Sequence, residues 1–221
     1  MKYVPFSINS GLKNMQIDEG LLTDAINSKS NDMIFRLYAW EPACISLGRN
    51  QNDSFINKDI INKYNIDVVK RLTGGRALLH DKEITYSIVV NESKLKNGSS
   101  VIESYKELSQ ILIDVFKSLG IELSIGGDKP IHTKFDYCML ISTGADLCYD
   151  GKKFIGSAQC RKNGYILQHG SILLDYNKDL LEELFNEKIS VDSITSLNEI
   201  NPDLSLKEVV AAFENYLRNV V

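Results

Sequence analysis

The sequence predicts a single α+β domain over residues 1–221, with a mixed, mostly antiparallel sheet flanked by helices. Three observations carry this. Apolar residues recur at helical spacing behind capping residues near the start, middle and end of the chain. Between Ala145 and Leu174, three β-type runs are joined by Asp150-Gly151 and Asn163-Gly164, two strong tight-turn signals, which makes an antiparallel meander. No internal repeat, low-complexity segment or linker interrupts the 221 residues, so helices and strands are expected to share one core.

In order, residues 1–10 read as an extended strand. Asn14 is expected to cap a helix from Met15 to Ser28, with Met15, Leu22, Ala25 and Ile26 inward and Asp18 and Glu19 in the first turn, where the helix dipole favours acids. Met33 to Trp40 is aromatic and β-branched, hence a strand; Glu41-Pro42 breaks it, and Ala43 to Leu47 makes a short partner. A short helix follows at Lys58 to Asn65. Lys70 to Val90 reads as strand, glycine turn at Thr73-Gly74-Gly75-Arg76, and strand from Ile84. Ser100 and Glu103 form a capping box for a helix to Leu119, with Val101, Tyr105, Leu108, Leu112, Val115, Phe116 and Leu119 buried and Gly120 as its stop. Ile121 to Ile125 is a strand, and Gly126 to Phe135 a polar loop. After the meander come a short amphipathic helix, Lys178 to Phe185, and a final helix opened by the Ser205 and Glu208 box, with Val209, Val210, Phe213 and Leu217 inward.

Hydrophobic content of 43% and charged content of 24% are those of an ordinary globular protein. Net charge is -4, so no global basic field favours nucleic acid. Local basic groups do occur, at Lys70, Arg71 and Arg76 and at Lys152, Lys153, Arg161 and Lys162; if the two stretches meet they form a positive mouth. No run approaches the roughly 18 apolar residues of a membrane span, and no signal-peptide pattern opens the chain. Cys44, Cys138, Cys148 and Cys160 form no CxxC pair, and His80, His132 and His169 are isolated, so no metal site is expected. A cytoplasmic protein with reduced thiols is the expectation.

Two stretches point to chemistry. Gly74-Gly75 offers bare backbone to a carbonyl or anionic ligand, flanked by Arg71, Thr73, Arg76 and His80. Cys138 follows a stretch rich in polar and bending residues, and Lys153 lies fifteen residues later, at a predicted strand start. An ammonium beside a thiol favours the thiolate. Gly156-Ser157-Ala158 adds small residues against which an acyl chain or carbonyl could lie, and His169-Gly170 sits in the next strand. Unaided, this describes a glycine-rich binding loop with thiol chemistry nearby. Each feature alone also has an ordinary structural explanation: a turn, a buried cysteine or a surface lysine.

Arg71-Leu72-Thr73-Gly74-Gly75-Arg76-Ala77-Leu78-Leu79-His80 resembles the RPTGGRxVxH signature of the biotin/lipoate protein ligase and octanoyltransferase superfamily. Gly151 to Gln159 resembles its GxKxxGxAQ signature, and Gln168 to Leu174 the strand that follows. Asn14 to Glu19 and Tyr38-Trp40-Pro42 are similar to its N-terminal portion, so the resemblance runs from about residue 5 to about 215. Within the superfamily the order Cys138 then Lys153 is most similar to the cysteine-dependent octanoyltransferases of Gram-positive type. Departures are Lys70 in place of the first arginine of a pair, Leu72 where proline or serine is common, and an unusual segment, Met139 to Gly151, after Cys138.

The resemblance implies the biotin/lipoate ligase catalytic fold and a two-step acyl transfer. The Cys138 thiolate takes an octanoyl group from octanoyl-acyl carrier protein and passes it to a lysine of a lipoyl-domain protein such as the glycine-cleavage H protein. Lys153 holds the thiolate. Backbone N–H groups near Gly74-Gly75 or Gly156-Ser157 meet the oxyanion, and Arg71 and Arg76 orient the carrier arm. Thr73, His80, Gly156, Ser157, Ala158, His169 and Gly170 complete the implied substrate site, and no cofactor is implied. An ATP-dependent ligase, an amidotransferase between lipoyl domains and a non-catalytic acyl-binding module stay open. The first survives loss of Cys138, the second differs in donor, and the third forms no covalent adduct.

Overall fold

The computed structural model describes residues 1–127 and 144–219. Its main sheet has seven strands in the order β1-β2-β6-β10-β9-β8-β7. These are β1 Lys2–Asn9, β2 Ile34–Trp40, β6 Glu83–Asn91, β7 Ser124–Ile125, β8 Leu147–Tyr149, β9 Lys152–Lys162 and β10 Tyr165–Leu173. Within this sheet, among the described residues, only the β1 and β2 pair is parallel. A second sheet orders β4 (Asp67–Lys70), β3 (Cys44–Leu47) and β5 (Leu78–His80), with β3 in the middle. The helices are α1 Gly11–Asn27, α2 Lys58–Tyr64, α3 Val101–Ser118, α4 Lys178–Phe185, α5 Leu197–Ile200 and α6 Leu206–Asn219.

Strand alternation divides the main sheet into two unlike faces. Ile84, Tyr86, Ile88 and Val90 of β6 join Phe35 and Leu37 of β2 under α3 and α6, where Leu112, Phe116 and Phe213 complete the principal core. Phe213 stacks on Phe35 with ring centroids 5.6 Å apart. The alternate β6 residues, Glu83, Thr85, Ser87 and Val89, are equally buried but mostly polar. Over Val89 lie Leu22 and Ala25 of α1. The small sheet makes its own cluster with α4, through Ile45, Leu47, Leu79, Leu184 and Phe185. A buried polar face between two apolar layers is where a site can be held rigidly, and the site lies there.

The meander forms as expected. Asp150 and Gly151 take φ of 51° and 77°, and Asn163 and Gly164 take 50° and 78°, the doubly left-handed backbone of a type I′ hairpin turn. Gly120 ends α3 at φ 78°. The Ser205 and Glu208 box is closed by both bonds, Glu208 N–H to Ser205 Oγ at 3.3 Å and Ser205 N–H to Glu208 Oε2 at 2.8 Å.

Several expectations are corrected. Ser10, not Asn14, caps α1. Asn14 is instead fully buried, donating its amide to the carbonyls of Asn9 and Ala39. Shifting the start by one turn moves Asp18 off the exposed first turn into the interior, against Arg36. The strands flanking the glycine turn are not a hairpin: β3 lies between β4 and β5 and pairs with both, so the loop is a crossover above β3. β3 therefore partners the small sheet and not β2. Finally, Ile121 and Leu123 are buried in the core ahead of a strand of only two residues, and Val101 is exposed at the lip of α3. The polar loop expected at Gly126 to Phe135 falls, from residue 128, outside the described residues.

Candidate active site

Arg71 builds the glycine loop. Leaving β4, its guanidinium donates to Thr73 Oγ1 (3.1 Å), the Ser46 carbonyl (2.7 Å), the Gly74 carbonyl (2.8 Å) and the Arg76 carbonyl (2.7 Å). Five N–H donors in a planar fork suit this convergence of carbonyls. Gly75 sits at φ 90°, where a side chain is strained. Gly48 passes so close that a Cβ there would run into the Gly75 carbonyl. Neither Gly74 nor Gly75 spends its amide N–H on another described residue. The loop thus presents backbone donors while its shape is set from behind.

Both ends of that support are histidines in a buried polar chain. His80 stacks on Trp40 at 4.0 Å between ring centroids. Its Nδ1 faces Glu83 Oε1 (3.2 Å) and its Nε2 faces Ser46 Oγ (2.8 Å), which also accepts from Arg71. A carboxylate only accepts, so Nδ1 carries the proton and Nε2 receives the Ser46 hydroxyl. On the other side, Thr73 Oγ1 meets His169 Nε2 at 2.8 Å, and His169 Nδ1 faces Asp18 Oδ2 at 3.4 Å. Asp18 is held by Arg36 (2.8 Å) and the Tyr38 hydroxyl (2.8 Å). Burial alone raises the Asp18 carboxyl, but His169, Arg36 and Tyr38 outweigh it and leave its pKa below the ordinary 3.8. Burial, opposed by Glu83, lowers the pKa of His80 below 6.5 and keeps the ring neutral.

Lys153 opens β9 almost fully buried, its ammonium 3.0 Å from Asp146 Oδ2. Asp146 Oδ1 also accepts the Ser157 N–H at 3.3 Å. Of the expected oxyanion donors, then, the Ser157 amide is engaged. The Ser157 hydroxyl meets the Tyr86 hydroxyl at 2.7 Å, and Gln168 and Gln159 continue that chain toward α3.

These groups line one cleft in two parts. The inner part is narrow and is walled by Met15, Tyr38, Trp40, Leu78 and His80 against Gly156, Gly170 and Ser171. Gly170 has no room for a Cβ, which would strike the Gly156 carbonyl and Tyr86, so the cleft floor is bare backbone. The outer part is wider, about 380 Å³, and is walled by Gly74, Gly75, Arg76 and Tyr105 against Asp146, Lys153 and Gln159. Ser157 and Ala158 line both. An apolar slot that opens into a polar mouth suits an acyl chain whose carbonyl end reacts outside the slot.

The expected site residues Arg71, Thr73, Gly74, Gly75, Arg76, His80, Lys153, Gly156, Ser157, Ala158, His169 and Gly170 all gather here; Cys138 lies outside the described residues. The two basic stretches meet only in part: Arg76 and Lys153 line the outer cleft together. Arg71 is spent on the loop, Lys153 pairs with Asp146, and Arg161 binds Glu92 (3.2 Å) and the Gly98 carbonyl (2.7 Å). Sequence inspection missed Asp146, Ser46, Glu83 and Asp18. For Asp146 a signal existed: the type I′ turn sets Cys148 opposite Lys153, which brings residue 146 alongside Lys153 and Ser157.

Comparison with known proteins fits this geometry. The lipoyl protein ligase A/B catalytic domain matches residues 10–218. Octanoyltransferase LipM of Staphylococcus epidermidis is 37% identical over 230 residues, 94% of this chain and 83% of that protein. Octanoyltransferase LipM of Brevibacillus brevis is 36% identical over 234 residues, 96% and 83% of the two chains. Among solved structures, a lipoate-protein ligase A bound with ATP superposes with a TM-score of 0.79 at 18% identity, covering 99% of this chain and 84% of that one. P. falciparum LipL1 in complex with lipoate gives 0.74 at 21%, covering 98% and 62%. At such identity the structural likeness is one of fold.

Proposed function

The chain belongs to the lipoyl protein ligase A/B catalytic domain family, and from that premise we propose that it is a cytoplasmic octanoyltransferase that moves an octanoyl group from octanoyl-acyl carrier protein to a lysine of a lipoyl-domain protein of the glycine-cleavage H type. The observation that carries this is the junction at Ser157 and Ala158, where an apolar slot meets a mouth holding the buried Lys153 and Asp146 pair. The identity of 36–37% to octanoyltransferases over most of the chain favours transfer over ATP-dependent ligation.

In this reading the Cys138 thiolate attacks the thioester carbonyl. The amide N–H groups of Gly74 and Gly75 are the donors offered to the oxyanion. The carbon–sulfur bond to the carrier breaks, and the carrier leaves as a thiolate that takes a proton from solvent. One thioester replaces another, so no ATP is consumed. A lysine amine of the acceptor then attacks the acyl-enzyme; its proton passes to solvent and the Cys138 thiolate is restored. Lys153, fixed by Asp146, supplies positive charge where sulfur and oxygen carry negative charge. Arg71, Thr73 and His169 keep the loop in shape, and His80 walls the slot.

The test is intact-protein mass after mixing with octanoyl-acyl carrier protein without ATP, for wild type and Cys138→Ser. A gain of one octanoyl group, removed by hydroxylamine and absent from the variant, is expected. A wild type that stays unmodified by a fully loaded donor would overturn the proposal.

A further inference from the structure

In β9 alternate residues turn their backbone groups away from the β10 ladder. Lys162 and Tyr165 flank a two-residue hairpin loop and exchange ladder bonds; Cys160, Ala158 and Gly156 do the same with Leu167, His169 and Ser171. Arg161, Gln159 and Ser157 therefore direct their N–H and C=O groups to the opposite edge. The Ser157 N–H meets Asp146 on that edge, as this alternation requires. β8 spans three residues against the eleven of β9, and it pairs only as far as Ile155. Beyond Ser157 no described strand covers the edge, and the outward backbone groups of Gln159 and Arg161 make no hydrogen bond to any described residue.

This edge, unpaired among the described residues, begins at the outer cleft, which Ser157 and Gln159 line, and ends at the exposed Lys162. The neighbouring side chains do not compete for it. Arg161 is committed to Glu92 and Gly98, and Gln159 to Gln168 (2.7 Å) and Ser104 (3.3 Å). An unpaired edge invites an extended partner carrying amides.

We propose that this edge is the track for the donor's carrier arm: a phosphopantetheine chain, whose two amides dock on Gln159 and Arg161 as a short added strand and whose phosphate meets Lys162. The proposal rests on the thioester-donor reading above. Its length fits. The five steps from Ser157 to Lys162 span about 17 Å at the rise of a strand. About thirteen bonds separate the thioester sulfur from phosphorus, and an extended chain gains roughly 3.5 Å per three bonds, hence about 15 Å. The flexible lysine stem covers the difference, and its ammonium suits a phosphate met as a point charge.

The experiment measures the rate of acyl-enzyme formation by quenched intact mass, with four octanoyl thioesters: those of ethanethiol, N-acetylcysteamine, pantetheine and phosphopantetheine. They carry no amide, one amide, two amides, and two amides with a phosphate. The expected result is a rise in rate of about fivefold for each amide, the size of an ordinary hydrogen bond, with a further rise for the phosphate. In Lys162→Ala the advantage of phosphopantetheine over pantetheine falls at least fivefold. Gln159→Pro removes an N–H that the β10 ladder does not use. It flattens the amide steps relative to Gln159→Ala, which reports the loss of the side chain alone.

Equal rates for all four donors on wild type, a result that needs no variant, would overturn the track and leave the transferase intact. Gln159→Pro slowing only delivery to the acceptor lysine would overturn it too, assigning the edge to an acceptor strand. No adduct from any donor would overturn the functional reading and this one with it.

Discussion

Lys153 and Asp146 meet at 3.0 Å inside the protein, with 2% and 3% of their side chains exposed. Neither charge has bulk water to hydrate it, so each depends on the other. The pair bridges the β8–β9 hairpin, and the second oxygen of Asp146 holds the Ser157 amide. One carboxylate therefore fixes both the ammonium and the strand segment where slot and mouth join. A lysine held this way is a fixed cation aimed at one place, unlike a surface lysine at a hairpin.

Replacing Asp146 with asparagine keeps the shape and an acceptor for Ser157 but removes the negative charge 3.0 Å from the ammonium. Breaking a buried pair costs on the order of 3 kcal/mol. Urea unfolding of Asp146→Asn should show a loss of that size, and acyl-enzyme formation should slow at least tenfold in protein that is still folded. Unchanged stability together with an unchanged acylation rate would mean that the pair is incidental.

The glycine loop makes a separate demand. A Cβ on Gly48 would occupy the space of the Gly75 carbonyl, so Gly48→Ala must push the loop outward. Overpacking of this kind costs about 1–3 kcal/mol. The expected signature is a fall in acylation, about a hundredfold, that exceeds what the modest loss of melting temperature explains. Gly20→Ala is the control, since nothing lies within 4 Å of a Cβ there; it should match wild type in acylation and melt no lower, alanine being the better helix former.

Much of this was legible in the chain because local rules and tertiary structure agree. The Asp150-Gly151 and Asn163-Gly164 turns require a left-handed backbone that few dipeptides supply, so they placed β8, β9 and β10 in register. Thr73 to Arg76 and Gly156 to Ala158 were marked by small residues and by their likeness to known signatures. What stayed hidden was long-range. Asp18 looks like a residue of a helix's first turn, yet it pairs with Arg36 eighteen positions away. Glu83 and Ser46 matter because they meet His80, through separations of 3 and 34 residues, and only the second sheet brings Ser46 there. The glycine loop reads as a hairpin because local signals cannot reveal that β3 will pair between its arms. Arg71 reads as a ligand for anions, yet its guanidinium donates to the carbonyls of Gly74 and Arg76 in its own loop and of Ser46 in β3.

That role separates Arg71 from a simple positive charge. Lysine retains the charge but cannot reach Thr73, Ser46, Gly74 and Arg76 together. Arg71→Lys should therefore lose about 2–3 kcal/mol, the value of one or two charge-assisted hydrogen bonds. It should also lose acylation activity with small donors that carry no phosphate. If instead only the phosphate-bearing donors suffer, Arg71 acts on the carrier arm and not on the loop.

The buried His80 sets a pH dependence of stability whose sign follows from its environment. Burial lowers its folded pKa below 6.5; Arg71 and His169 push the same way, and Glu83 opposes them. In the unfolded chain the same ring protonates near its ordinary value, about 6.5. As pH falls through that value the unfolded state binds the proton first, and stability rises with pH wherever the unfolded state holds more protons. The contribution of His80 is thus fully present above pH 6.5 and is lost as pH falls toward the folded pKa. Urea midpoints measured at pH 7.5 and 5.5 should drop for wild type and drop less for His80→Gln, whose amide keeps hydrogen-bonding capacity but does not titrate. The comparison is one of slopes, so a uniformly less stable variant still answers it. Equal drops in both proteins would assign the acid sensitivity to other groups.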